Sequence, residues 1–362
     1  MRHLQFIFSF CIIFISLDAK IIERNHVNPV ILTLFSLFLP IFTPQEQESF
    51  TTLNPYDLQH AVERLNKIAQ KYFLRPTHLS RLQSPELTEY YITYLFKGRT
   101  HNEIEEVCKE IYALFQYGGY IEPMYPTYTT PENILILGAS MMVIWKRIAF
   151  LNELVQTKKI ILSEKTTITI CLGERTLMDY EKEDLKKLHA EHNYPFDSTI
   201  IDEIEGGKSL IHFFPFCDDI KRESIYLAIG HKKGKATTAT TEDNINKFLS
   251  LPHHQDGHTL IISGNPYVEY QTEAIRFCFT QHTHCSHLFS LVEGAGFGSQ
   301  LTPETFSIKD AGVYLDNLAR TLYTLTKIYE IVPPTNSTIM KYVYDFVLTI
   351  SSFFYNVYNY MQ

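Results

Sequence analysis

Apolar residues recur at three- and four-residue spacing through the first third of the chain and in short unbroken runs thereafter. Leu58, Val62, Leu65, Ile68 and Ala69 predict one face of a helix opened by Asn54-Pro55. Pro76 and Pro85 interrupt the pattern before a second helix near residues 86–96. A third spans about 102–115, with Ile104, Val107, Ile111 and Leu114 on one face and Gly118-Gly119 at its end. Residues 46–125 therefore read as a helical region. The Pro-, Tyr- and Thr-rich stretch from Pro123 to Pro131 marks its boundary.

The period then changes. Continuous apolar runs predict strands at Asn133–Leu137, Thr167–Leu172, Ser224–Ile229 and Thr259–Ile262, each followed by a helical pattern. The helices fall after Ser140, around 180–189, around 242–249 and around 271–279. Strands apolar on both faces and alternating with helices predict an α/β fold. The expected architecture is a Rossmann-like parallel sheet with helices on both faces over 132–330, preceded by the helical region. The helix at 314–329 carries Leu315, Leu318, Ala319 and Leu322 on its apolar stripe, and Asp316 and Arg320 stand at i,i+4 spacing. Residues 331–362 read as a C-terminal aromatic helix. Their run at 339–358 contains Lys341, Asp345 and Asn356, so docking is favoured over membrane crossing.

The extreme N-terminus has a different character. Arg2 and His3 precede an apolar run from Leu4 to Leu17, and Ala19 supplies a small residue for cleavage. Residues 1–19 are expected to be a signal peptide, and the protein exported, as a periplasmic, envelope-associated or secreted protein. Residues 20–45 form an apolar segment or linker. Its run Val30–Phe42, interrupted by Pro40, is either membrane-associated or an arm packed on the folded body. Membrane or envelope association is accordingly assigned to residues 4–42.

The chain has 362 residues, 45% of them hydrophobic, and a formal net charge of −8. Such a composition supports a sizeable core and excludes whole-chain disorder. Without a net basic balance or dense basic stripes, no nucleic-acid partner is expected. Six cysteines include no C-x-x-C pair, which removes zinc-ribbon and thioredoxin-like signatures. Cys171, inside a predicted strand, reads as a buried free thiol. Asn336-Ser337-Thr338 is a glycosylation sequon, with meaning only in a eukaryotic secretory pathway.

In open parallel sheets ligands bind beyond the carboxyl ends of the strands, where helix N-termini offer free N–H groups to phosphate or carboxylate. The loop Gly138-Ala139-Ser140 is such an end, although it is not G-x-G-x-x-G. The Walker and G-x-S-x-G signatures are absent too. Arg147, two turns into the following helix, either reaches back to hold an anion or is a solvated or salt-bridged side chain beside Lys146. Gly173, Glu174 and Arg175 close the second strand; Arg175 is favoured as a ligand arm paired with Glu174, and Glu181 follows one turn into a helix. The loop 230–241, with three lysines and many hydroxyls, places Thr238 and Thr241 near a helix start, where Thr240 or Thr241 caps. Asn265, Tyr267 and Gln271 line the opposite wall, suited to a sugar or nucleobase.

Two further groups read as structural. Asp202 and Glu203 form a carboxylate pair expected to be a solvated turn before Gly206-Gly207. His253, His254 and His258 precede the fourth strand, and His282, His284, His287 and Cys285 follow its helix. Such ligands suit a transition metal, but no H-E-x-x-H or C-x-x-C framework fixes them, so no metal site is assigned. No catalytic nucleophile or base is identified.

In order along the chain, Ile134–Ser140 with Arg147, Gly173-Glu174-Arg175 with Glu181, Ala236–Asn244, and Ile261–Tyr267 with Gln271 resemble the SanA/ElyC/YdcF-like domain of bacterial envelope proteins. The resemblance covers roughly 132–330 and rests on motif order. It departs where many members have Ser-Gly-Gly after the second strand and a loop His after the last; here stand Leu172–Arg175 and Asn265-Pro266-Tyr267. The resemblance implies the fold, an envelope location and an adenosine-type or other phosphate-bearing ligand. The expectation is an exported protein binding a small anionic or nucleotide-like molecule, as a transferase or hydrolase of envelope metabolism. The alternative is a non-enzymatic interaction protein that uses the α/β domain as a scaffold.

Overall fold

A computed structural model describes residues 29–53, 58–75, 84–232, 239–282 and 291–331. The chain divides into two compact units, one built from residues up to 122 and from 299 onward, the other from 123–298. The predicted signal peptide, Thr238, His284, Cys285, His287, the sequon and the C-terminal aromatic helix lie outside the described residues.

The first unit begins with helices α1 (Pro29–Ser36), α2 (Pro44–Thr51), α3 (Leu58–Tyr72), α4 (Ser84–Tyr94) and α5 (His101–Tyr117). Helices α2 and α5 each open with a capping box, Thr43 with Glu46 and Thr100 with Glu103. The apolar arm is core, not surface: Leu34, Phe35, Phe38 and Phe42 are all buried. Phe73 meets Phe35 and Phe38 edge-on, each at 5.0 Å between centroids. Each fully buried Phe contributes roughly 1.5–3 kcal/mol, enough to fix the arm to this unit.

The second unit runs β1 (Asn133–Ile136), α6 (Met141–Gln156), β2 (Thr167–Gly173), α7 (Asp179–Glu191) and α8 (Glu203–Phe213). It continues through β3 (Ile225–Gly230), α9 (Thr241–Leu249), β4 (Thr259–Gly264), α10 (Val268–Gln281) and β5 (Val292–Phe297). All five strands are parallel, in the order β3-β2-β1-β4-β5. Alternate residues of each strand serve opposite faces. Ile134 and Ile136 of β1 pack in one core with Ile144, Ile148, Leu185 and Leu210 of α6, α7 and α8. Leu135 and Leu137 pack in the other with Ile245 and Phe248 of α9 and Ile275 and Phe279 of α10. This is the expected Rossmann-like α/β arrangement.

Three expectations are corrected. A fifth strand, β5, has the sequence Val-Glu-Gly-Ala-Gly-Phe, in which glycines and Glu293 dilute the apolar run that marks the other four. The residues read as a solvated turn, 202–207, instead cap and open α8. A Cβ on Gly207 would stand 2.6 Å from Leu172 Cδ2, so the glycine marks close helix-on-sheet packing. The last described helix, α11 (Ile308–Ile331), belongs to the helical unit and not to the α/β domain. Gln70 Nε2 of α3 donates to Ala319 O at 3.0 Å, and Tyr314 OH donates to Tyr120 O at 3.3 Å. Asp316 accepts from Arg320 Nε at 3.0 Å, as its spacing predicts, and from the amide of Arg75 at 2.8 Å.

Candidate functional site

The chain leaves β1 for β2 and β3 on one side, then returns to place β4 and β5 on the other. The carboxyl ends of β1 and β4 are therefore the topological switch point, where adjacent loops diverge and leave a crevice. Gly138, Ala139 and Ser140 follow β1 there, and Asn265 and Tyr267 follow β4. Ser140 occupies the N-cap of α6 with extended backbone angles, yet its hydroxyl makes no capping bond. The amides of Met141, Met142 and Val143 form the first turn of α6, where no intrahelical acceptor exists.

Arg147 lies directly beneath. It is 1% exposed, neither solvated nor salt-bridged: among the described residues no carboxylate is in ion-pair range. Its Nη1 donates to Leu137 O at 2.5 Å and Gly138 O at 3.3 Å. Its Nη2 donates to Ser263 Oγ at 3.3 Å and Gln271 Oε1 at 3.1 Å. Nε has no acceptor. Burial lowers its pKa to about 10, so it stays a cation at neutral pH. A buried positive charge thus joins the ends of β1 and β4, hydrogen-bonded to neutral oxygens, with the Glu203 carboxylate acting on it only from beyond ion-pair range. Gln271 Oε1 accepts both this contact and the Ser263 hydroxyl, so the half-buried side chain braces Arg147 from beside the site.

Arg175 occupies a different place from the one its loop position predicts. It is not paired with Glu174. Its Nη1 and Nη2 bind both oxygens of Glu181 at 2.7 Å, its Nε donates to Glu203, and its Nη2 also reaches Ala139 O at 2.9 Å. The two carboxylates consume the fork, and the guanidinium fastens the β1–α6 loop by its carbonyl. Glu181 and Glu203 are buried, at 1% and 3% exposure. Burial pushes the Glu203 carboxyl up, against the pull of Arg175 and of the Gly173 amide, which donates at 2.9 Å. Cys171, also buried, has its thiol pushed up to about 12 by burial and is an inert thiol.

Glu174 faces the next loop, accepting from the Lys232 amide at 3.3 Å and lying 3.5 Å from His231 Nδ1. Thr241 starts α9, but the cap is Thr240, in a reciprocal box with Asp243. Two residues of this region take roles that their positions along the chain do not show. Glu203 was hidden in an apparent turn. Asn244, buried in the first turn of α9, accepts from the Gly230 amide at 3.0 Å and closes the end of β3.

Two of the described histidines pack on aromatic rings. His253 stacks on Tyr226 and His258 on Tyr128, at 3.5 and 3.6 Å between centroids, at the amino end of the sheet. No metal-ligating cluster occurs among the described residues. A cleft of about 500 Å³ lined by Lys165, Lys221, Tyr226 and His253 also opens at that end, away from the switch point. Among the described residues no helix is long and apolar enough to cross a membrane. No family model matches the chain, and no curated protein matches it.

Proposed function

We propose that the α/β unit binds a small anionic or nucleotide-like ligand at the switch point, beyond β1 and β4. The observation that carries this reading is Arg147, a buried cation with no carboxylate in ion-pair range among the described residues, beneath a helix N-terminus without a side-chain cap. Leaving a charge so buried is costly unless something opposite in sign approaches it. The Nη atoms are held by protein oxygens. Arg147 therefore acts through its field, while Ser140 and the first-turn amides of α6 make the contacts. Asn265 and Tyr267 face the remainder of the ligand. With the resemblance to SanA/ElyC/YdcF-like domains, the reading extends to an exported transferase or hydrolase of envelope metabolism with an adenosine-type or other phosphate-bearing ligand.

A thermal-shift screen of phosphate- and carboxylate-bearing metabolites tests it. A ligand at 100 times its Kd raises unfolding free energy by about 2.7 kcal/mol. Ser140→Asp should cap α6 with its own carboxylate, leave the fold intact and abolish the ligand-induced shift. A complete screen with no shift defeats the proposal.

The second reading is a non-enzymatic interaction protein. It is favoured by the mutual pairing of Arg175, Glu181 and Glu203, which commits those charges to structure. Capture of one specific partner by a protein carrying Ser140→Asp, as efficiently as by the wild type, supports it.

A further inference from the structure

Away from the strand ends, the last turn of α7 and the middle of α8 share a hydrogen-bonded side-chain pair. His189 is 1% exposed and ringed by Tyr194, Phe196 and Phe213, the last at 4.5 Å. Its Nδ1 lies 2.8 Å from Pro195 O, and its Nε2 lies 3.0 Å from Ser209 Oγ. A carbonyl oxygen only accepts, so Nδ1 carries the hydrogen of the neutral ring. Nε2 then holds the lone pair, and the Ser209 hydroxyl must donate to it. This proton arrangement is that of an activated serine: nucleophile, base, and a third group that fixes the tautomer.

Two more observations suit the pair to proton transfer. A serine within a helix commonly bonds back to the carbonyl four residues earlier, but among the described residues the Ser209 hydroxyl has only His189 as partner. His189 stands in the last turn of α7, its ring held between the Pro195 carbonyl and the Ser209 hydroxyl. Pro195 O takes the tautomer-fixing place that a carboxylate holds in a triad. Ser209 itself is half-buried, while its base is 1% exposed. It lies six residues from Glu203 along α8, about 9 Å at 1.5 Å per residue, outside the switch-point site.

We propose that Ser209 is a nucleophile activated by His189, forming an acyl-enzyme with small carboxylic esters. The Ser209 Oγ–carbon bond forms as the hydroxyl proton passes to His189 Nε2. The ester C–O bond then breaks, and the leaving alcohol takes that proton. Water, deprotonated by the same nitrogen, cleaves the acyl-serine, releases the acid and restores the hydroxyl.

The test treats the full-length protein with p-nitrophenyl acetate and, separately, with a fluorophosphonate, and locates the adduct by peptide mass spectrometry. Stoichiometric adduct on Ser209, absent in Ser209→Ala, is expected. His189→Gln should slow labelling by roughly 100-fold or more, the usual worth of a general base. Trp145 fluorescence checks that this variant is folded. Should it fail to fold, Ser209→Cys decides: the introduced thiol must outpace the half-buried Cys217 with iodoacetamide at pH 7 by at least about tenfold, as base-activated thiolates do. An unlabelled Ser209, labelling indifferent to His189→Gln, or a thiol in the Ser209→Cys variant no faster than Cys217 overturns the proposal. A purely structural bond between α7 and α8 predicts those three results.

Discussion

Replacing Arg147 by Met separates the energetics of the fold from those of the proposed ligand. The substitution removes the charge and its donors and leaves a shorter, apolar side chain. Leu137 O and Gly138 O lose charged donors worth about 1.5–3 kcal/mol each, while Ser263 and Gln271 keep their bond to one another. Against this, burial depresses the Arg147 pKa to about 10, a net penalty on the order of 3 kcal/mol that the neutral side chain no longer carries. The variant should therefore fold, destabilised by no more than about 3 kcal/mol. Ligand affinity should respond more sharply. A monoanion about 7 Å from the guanidinium gains about 2 kcal/mol at an effective dielectric of about 20, which corresponds to roughly thirtyfold in Kd. Equilibrium dialysis with the best metabolite from the thermal screen, at constant ionic strength, measures that ratio. An Arg147→Met variant that is folded and binds as tightly as the wild type refutes the electrostatic role of Arg147.

Two further tests probe the surrounding structure. A Cβ on Gly138 would stand 2.3 Å from Glu203 Oε1 and 2.9 Å from Cys171 O, so Gly138→Ala should cost about 1–3 kcal/mol in denaturant unfolding; an unchanged midpoint contradicts the close approach of α8. Glu269, in the first turn of α10, has its carboxyl pushed up to about 8 by burial and by Glu273, against the pull of Arg276. The folded state thus holds a proton that the unfolded state releases near pH 4.5. The stability this group contributes is full below pH 4.5 and is lost as pH rises through about 8. The α/β unit, reported by the single tryptophan Trp145, should unfold at a lower urea concentration at pH 8.5 than at pH 6, with the difference reduced in Glu269→Gln. A higher midpoint at pH 8.5 in the wild type opposes this.

Local pattern alone carried the α/β class, because a doubly covered parallel strand must be apolar on both faces and a half-buried helix on one. Hence β1 to β4, the apolar stripe of α5 and the ends of the strands were legible from the order of residues. β5 was not, since its glycines answer to the approach of α10 and leave no apolar run. Burial of a stripe also does not name the surface that covers it. The sequence of α11 shows an amphipathic helix, and only tertiary contacts assign it to α3 and the helical unit.

Charge shows the same division. Loop position marked Arg175 as the open ligand arm and left Arg147 undecided between an anion and solvent. Folding reversed their standing, because Glu181 and Glu203 come from separate helices and converge on Arg175 only in space. The Ser209–His189 pair is likewise invisible along the chain, where twenty residues separate the two. The sequence by itself determined four of the five strands, where they end and the helices that follow them, since those follow from local periodicity and turn chemistry. The tertiary structure decided which charges are neutralised and which hydroxyl meets a base, since desolvation and hydrogen bonding depend on what the fold brings within about 3–4 Å.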